Sequence, residues 1–375
     1  MRVAYGVSVL AAAMRRGGAD GIGNVTRELL HRLDGAPGLA LLPFEYADEA
    51  SGCIPGARAV GRFQPQAALS LATGLTFPQM QRTLRGQVDL VHATDHYVPR
   101  LRGVPVLATL MDAIPLSHPE WVAYRFKSLK NEAWRRSAHW ADQVLTISEF
   151  SRQEIARWFR LPESRISVIP LWVDARWFET PEEAELERVR RDYALPGRFF
   201  LFVGTLQPRK NLERLVQAHA MLPANVRRDC PLIVAGRSGW GCEDLVGRLE
   251  GGGLPDVRWL SYVPDADLPV MLALATALVF PSLYEGFGLP VLEAFAAGTP
   301  VIASSAASVP EVAGDAALLA DPMDARGWCE AMAALADDDT LAGRLRESGR
   351  ARARLFSWDR TAAELAQLYG QVVGR

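Results

Sequence analysis

Pro281-Ser-Leu-Tyr-Glu-Gly-Phe-Gly-Leu-Pro290 is the stretch whose residue types and spacing best suit chemistry. A short apolar run ends at Pro281, a loop with Gly286, Phe287 and Gly288 follows, and Leu289–Pro290 opens a helical pattern. A glycine loop feeding a helix N-terminus points backbone N–H groups and the positive end of the helix dipole at an anion. Glu285 precedes the loop and Glu293 follows one turn into the helix. Two carboxylates around an anion-binding loop suit a ligand with both phosphates and hydroxyls. The phosphates take the N–H groups and the carboxylates accept hydroxyl protons.

A second cluster is Gly204-Thr-Leu-Gln-Pro-Arg-Lys210. Arg209 and Lys210 follow a strand-like run, and two adjacent cations at such a place suit a diphosphate. Lys210 is one of only three lysines, with Lys127 and Lys130, beside 38 arginines. A GC-rich genome explains that arginine bias, which makes the lysine retained here an indication that a compact point charge is needed. Gly17–Asn24 is a third glycine-rich stretch, holding Gly21 and Gly23. Its glycines come about fifteen residues after Gly6, too late for a dinucleotide fingerprint, which argues against hydride transfer.

Strand and helix patterns alternate around these clusters. Arg2–Gly6, Val88–His92, Val104–Leu110 and Gln143–Ile147 read as strands, with helices over Asn24–Leu33, Arg125–Trp140 and Ser151–Phe159. The later half repeats the theme. Phe199–Gly204, Pro231–Gly236, Val257–Leu260, Ala277–Pro281 and Pro300–Ser304 read as strands. Asn211–Met221, Cys242–Leu249, Asp265–Leu274, Pro290–Ala297, Ala325–Asp337 and Ser357–Val373 read as helices. Such alternation predicts parallel sheets covered by helices, that is, an α/β protein of two doubly wound, Rossmann-like halves facing across a cleft. The expected limits are an N-terminal domain over 1–172, a second domain over 173–356 and a terminal helix over 357–375 that returns to the first.

Length and composition agree. The 375 residues, 49% hydrophobic and 22% charged, exceed one typical domain and exclude disorder. A formal net charge of −2 argues against a dedicated nucleic-acid binder. Cys53, Cys230, Cys242 and Cys329 show no metal-binding or disulfide spacing, so a reducing cytoplasm is expected and no metal site. The opening MRVAYGVSVL is too short in its apolar run for a secretory signal, and no run reaches membrane-spanning length. Residues 1–172 carry 20 basic and 15 acidic side chains, and residues 173–375 carry 21 and 28.

Five ordered segments resemble the donor-site signature of the retaining glycosyltransferases of family 4, which have the GT-B fold. They are Phe202–Leu212, Val234–Gly236, Tyr262–Leu268, Pro281–Pro300 and Val309–Gly314. The resemblance spans nearly the whole chain and is strongest with bacterial mannosyltransferases of surface-polysaccharide pathways. It implies retaining transfer of a hexose from a nucleoside-diphosphate sugar, with GDP-mannose as the leading donor, to a saccharide hydroxyl in O-antigen or exopolysaccharide assembly. By the same resemblance, Arg209 and Lys210 neutralise the leaving diphosphate, Glu293 holds the ribose, and Glu285 meets the donor sugar. Gly204, Gly236, Tyr262 and Val263 line the base and phosphate pocket, Gly286–Leu289 cradles phosphate, and Gly21 and Gly23 belong to a loop closing over it. No metal or other cofactor is implied.

One departure stands out. Where the family often has His-Asp, this chain has Met111-Asp112. Asp112 remains as the polar group for the reacting sugar, and His92, Asp95, His96 or His118 are candidates for the missing imidazole. Two alternatives follow: a GT-B epimerase, and a donor-binding subunit without turnover. Finally, Trp121–Arg136 mixes aromatics with five cations, which suits either an anionic membrane surface or a domain helix with a solvated basic face. A polyprenyl-diphosphate-linked acceptor at the inner face of the plasma membrane would fit the first.

Overall fold

The computed structural model describes residues 1–15 and 21–374. These form two units, Met1–Leu171 together with Trp358–Arg375, and Trp172–Ser357. Each is built on one parallel sheet.

The first sheet comprises β1 (Arg2–Gly6), β2 (Ala40–Glu45), β3 (Arg58–Ala59), β4 (Leu90–Ala93), β5 (Val106–Thr109), β6 (Gln143–Thr146) and β7 (Ile166–Val168). Their spatial order is β3-β2-β1-β4-β5-β6-β7, all parallel. The order reverses between β1 and β4, the place where doubly wound sheets open a crevice at their carboxyl ends. β4, β5 and β6 are buried along their whole length, as strands covered by helices on both faces must be. Phe44, Phe63, Phe77, Met80, Val91, Val144 and Phe159 belong to this unit's core.

The second sheet comprises β8 (Phe200–Val203), β9 (Leu232–Ala235), β10 (Val257–Leu260), β11 (Ala277–Phe280), β12 (Val301–Ser304) and β13 (Leu318–Ala320). Its order, β10-β9-β8-β11-β12-β13, repeats the first topology, with the switch point between β8 and β11. Phe200, Phe202, Val279, Ile302, Trp328 and Met332 form its core.

The helix Trp358–Val373 packs in the first unit. It lies against the helix Gly21–Leu33 and β4. Arg32 bonds Asp359 at 2.7 Å, Thr361 donates to the Pro170 carbonyl at 3.1 Å, and Tyr369 is wholly buried.

Several elements differ from the sequence reading. The first glycine-rich helix starts at Gly21 rather than Asn24, so Gly21 and Gly23 are its opening residues and not part of a loop. Burial of Val25, Leu29 and Leu33 carries the helix through glycines whose low propensity argued against it. Gly17, Gly18 and Asp20 lie outside the described residues. The helix read over Arg125–Trp140 runs only over Lys127–Ala138, preceded by a 3₁₀ turn at Pro119–Trp121. No helix among the described residues is long and apolar enough to cross a membrane.

Candidate functional site

The strongest constellation forms where the second sheet reverses order. β8 ends at Val203, and its loop turns through Gly204 to a 3₁₀ turn at Pro208–Lys210. β11 ends at Phe280 and delivers Pro281–Gly288 beside it. Asn211 locks the two together. It adopts φ +57°, and its Nδ2 donates to the carbonyls of Pro281 at 3.1 Å and Pro322 at 2.7 Å. The Leu283 N–H also donates to the Arg209 carbonyl at 2.8 Å.

At the centre, Glu285 is gripped by both cations. Lys210 Nζ lies 2.7 Å from its Oε1, and Arg209 Nη1 lies 2.8 Å from its Oε2. Arg209 Nη1 also donates to the Tyr284 carbonyl at 3.1 Å. Burial raises the Glu285 carboxyl, but Lys210 and then Arg209 outweigh it and hold the group at about 2. Burial likewise pulls the Lys210 ammonium below the usual lysine range, against the pull of Glu285. The trio is thus one ionised cluster of net charge +1 rather than two free cations and a separate carboxylate. Its carboxylate member, Glu285, leads directly into the Gly286–Gly288 loop. Gly288, at φ +110°, is the residue before the helix Leu289–Ala297, whose first N–H groups have no partners within the helix.

Glu293, one turn into that helix, is half-buried. Burial pushes its carboxyl from the ordinary 4.5 up to about 7, with Asp265 raising it further and Arg176 and Lys210 pulling it down. The folded protein therefore holds this proton more tightly than the unfolded chain between those two values. Stability falls as pH rises through that window, and the cost is fully present above about 7. Glu293→Gln should raise the melting temperature at pH 8 and change it little at pH 4.5. Melts of both proteins at the two pH values check this; equal shifts at both would refute the buried carboxylate.

Gly204 and Gly236 have φ of +150° and +152°. A Cβ on Gly236 would collide with the Gly204 carbonyl oxygen, so β8 and β9 can turn off side by side only with glycine there. Tyr262 is 56% exposed, with the Arg237 guanidinium 4.8 Å from its ring centroid, while Val263 is buried. Phe287 is buried, edge-on to Phe356 at 6.2 Å. Asp267, read as part of a base-rim motif, is held by Arg188 at 2.7 Å and the Tyr193 hydroxyl at 2.6 Å, so it braces the Tyr262 loop.

In the first unit, Asp112 accepts from the Ile114 N–H at 2.9 Å, a tight turn just ahead of the helix Ile114–Ser117. All four residues that could stand in for the missing imidazole have partners within the first unit. His92 is fully buried, with Nδ1 2.7 Å from the Tyr369 hydroxyl and Nε2 2.7 Å from the Thr109 hydroxyl. Burial lowers it to about 3, so it is a neutral core residue that ties the terminal helix to the sheet. Met111 and His92 line the same small cavity of about 20 Å³, with Tyr5, Thr26 and Thr361. His96 packs edge-on to Trp134 at 4.3 Å and Tyr97 at 4.8 Å. Asp95 accepts from the Tyr97 N–H at 2.8 Å and is pushed up to about 6 by burial. His118 stacks on Trp121 at 3.9 Å with its Nδ1 3.0 Å from Glu120.

The Trp121–Arg136 stretch divides its aromatics. Trp134 and Tyr124 pack edge-on at 5.2 Å, whereas Phe126 and Leu129 are each 73% exposed beside Lys127 and Lys130. The exposed apolar pair was not among the residues singled out by pattern. Asn211 and Ser308 were also missed, although Asn211 directly follows the cation pair. Among the described residues, no group of three or more His, Cys, Asp or Glu could hold a metal ion.

Comparison with known proteins gives the chain its relatives. The family model for glycosyl transferases group 1 matches residues 186–352, and that for glycosyltransferase family 4 matches residues 19–177. The O-antigen chain mannosyltransferase B of Escherichia coli is 34% identical over 314 residues, covering 81% of this chain and 80% of that protein. The serotype-specific mannosyltransferase WbdA of the same species is 30% identical over 226 residues, covering 59% of this chain and 28% of its own length. Two solved structures share the fold. Sucrose-phosphate synthase from Thermosynechococcus elongatus superposes with a TM-score of 0.74 at 21% identity, covering 100% of this chain and 99% of the other. Anabaena Alr3699/HepE, in complex with UDP and glucose, gives 0.75 at 17% identity, covering 99% and 100%. With two doubly wound parallel sheets of the GT-B type and a close relative matched along most of its length, the chain belongs to the group 1 and family 4 glycosyltransferases.

Proposed function

We propose that the chain transfers mannose from GDP-mannose to a saccharide hydroxyl with retention at the anomeric carbon, as a step of O-antigen assembly. The observation that carries the reading is the Arg209–Lys210–Glu285 cluster beside the Gly286–Gly288 loop at the switch point of the second sheet. It offers a buried surplus positive charge and N–H donors where a diphosphate would leave. The choice of mannose is supported by the Escherichia coli relatives' names.

In this role the second unit binds the donor and the first presents the acceptor. Arg209 and Lys210 hold the departing diphosphate, and Glu293 accepts ribose hydroxyl protons when ionised. Glu285, with both carboxylate oxygens engaged by cations and its acidity near 2, is a poor nucleophile. Front-face displacement fits that better than a covalent glycosyl-enzyme. The bond from the anomeric carbon to the phosphate oxygen breaks, the acceptor oxygen bonds to the same face, and the freed phosphate oxygen takes the acceptor proton. The cations supply the field that a metal gives other transferases, so turnover should be metal-independent.

One experiment tests donor, reaction and metal together. The purified protein is incubated with GDP-mannose, UDP-glucose or ADP-glucose and a panel of saccharide acceptors, with and without EDTA. GDP release coupled to an α-mannosylated product, unaffected by EDTA, is expected. Preference for another donor refutes mannose, an inverted product refutes retention, and loss on chelation restored by Mn²⁺ refutes metal independence. An epimerised donor without acceptor would favour the epimerase reading.

The acceptor in this proposal is linked to polyprenyl diphosphate, and the enzyme meets it on the anionic inner face of the plasma membrane. Exposed Phe126 and Leu129, flanked by Lys127 and Lys130, support that contact. Each basic residue near an anionic surface contributes about 1 kcal/mol. Sedimentation with anionic liposomes at low salt should carry the protein down, and Lys127→Glu with Lys130→Glu should release it. Wild-type protein left in the supernatant would rule the contact out.

A further inference from the structure

Ser308 is fully buried just before the helix Val309–Ala313, and neither sheet nor helix bonding requires its hydroxyl. Its Oγ lies 2.9 Å from the carbonyl oxygen of Glu285 and 2.9 Å from that of Phe287. One hydroxyl proton, shared between two carbonyls, therefore draws both peptides toward the same side. No peptide bond among the described residues is cis. In a trans peptide the N–H points opposite to its own carbonyl. The peptide holding the Glu285 carbonyl carries the Gly286 N–H, and the peptide holding the Phe287 carbonyl carries the Gly288 N–H. Both N–H groups are thereby turned away from Ser308, toward one face of the loop. Backbone N–H groups turned to one side, at the start of a helix, favour an anion there.

The surroundings keep that arrangement. The Phe287 side chain is buried against Phe356, and Gly288 holds the left-handed conformation that admits the turn. The side chain of Glu285 is fixed by Arg209 and Lys210 while its carbonyl is fixed by Ser308. The cations and the N–H groups are thus referred to one another through a single residue.

We infer that Ser308 is a positioning residue whose hydroxyl fixes the backbone of the Gly286–Gly288 loop in the shape that receives a diphosphate. It touches no reacting atom and acts through the loop backbone. The inference rests on the reading that this loop receives a nucleoside diphosphate.

The test separates phosphate from nucleoside. Wild type, Ser308→Ala, Ser308→Thr and Ser308→Cys are titrated calorimetrically with GDP and guanosine, or with UDP and uridine if the wild type selects uracil. Melting temperatures are recorded for each. Ser308→Ala should weaken diphosphate binding about tenfold while changing nucleoside binding less than about twofold. Ser308→Thr, which keeps the hydroxyl, should recover most of the diphosphate affinity. Ser308→Cys, of similar volume but a weak donor, should behave like Ser308→Ala and serves in its place if the alanine variant does not fold. Equal weakening of diphosphate and nucleoside, or no weakening of either, overturns the inference. A wild type that binds no nucleoside diphosphate overturns the donor-site reading and the inference together, and is recognised before any variant is compared.

Discussion

Lys210→Ala is expected to lower kcat by about 10²–10³ while leaving the fold intact, the range found when one donor to a developing oxyanion is removed. The ammonium is buried, 2.7 Å from Glu285 Oε1 and 4.9 Å from the centroid of the Phe280 ring. Its loss takes away the surplus charge of the cluster, leaving Glu285 paired one-to-one with Arg209. The cluster is then neutral, and its share of the field that meets the extra charge of a departing phosphate is lost. Lys210→Arg should fail to rescue, because a planar, branched guanidinium does not reproduce the compact buried ammonium that lies 2.7 Å from Glu285. Steady-state kinetics with circular dichroism on the variants check the claim. Turnover near wild type in Lys210→Ala would remove the cluster from the chemistry.

Glu285→Ala should do the opposite kind of damage, mainly to stability. Removing one member of a buried ionic group leaves the others uncompensated and costs about 3–5 kcal/mol. In a unit of this size that lowers the melting temperature by on the order of 10 °C. Two cations are stranded here, although Arg209 keeps its bond to the Tyr284 carbonyl. A diphosphate can replace the missing negative charge. Added GDP or pyrophosphate should therefore restore part of the lost melting temperature in the variant, and more of it than the same ligand adds to wild type. Thermal melts with and without ligand decide this. An unchanged melting temperature in the variant would show that Glu285 does not balance the cations.

The two variants also mark the limit of what can be read along a chain. The strand at Val257–Leu260 and the helix at Ala325–Asp337 were legible to the residue, because apolar periodicity is a local property. The carboxyl-end placement of Arg209, Lys210 and Gly286–Leu289 followed from the same patterns and from resemblance. What spacing could not express is that Glu285 balances Arg209 and Lys210, although about 75 residues separate them. Read singly, the cations looked free to meet phosphate and the carboxylate free to meet sugar. His92 was similarly open to several roles until Tyr369, 277 residues on, occupied one of its ring nitrogens. The strand Ala40–Glu45 escaped notice because Pro43 interrupts it, and Arg58–Ala59 is too short for any pattern.

The return of the helix Trp358–Val373 to the first unit bears on how the protein is made. Synthesis is vectorial, and the ribosome must translate the whole of Trp172–Ser357 before the closing helix of the first unit exists. At about 5–20 residues per second, that is a delay on the order of 10–40 s. During it, His92 lacks the Tyr369 hydroxyl, and the helix Gly21–Leu33 lacks the helix it packs against. The second unit, contiguous in the chain, can finish first although it begins later. A nascent first unit waiting uncapped is open to holdase chaperones and to aggregation, and premature termination upstream of Trp358 would leave it permanently unfinished.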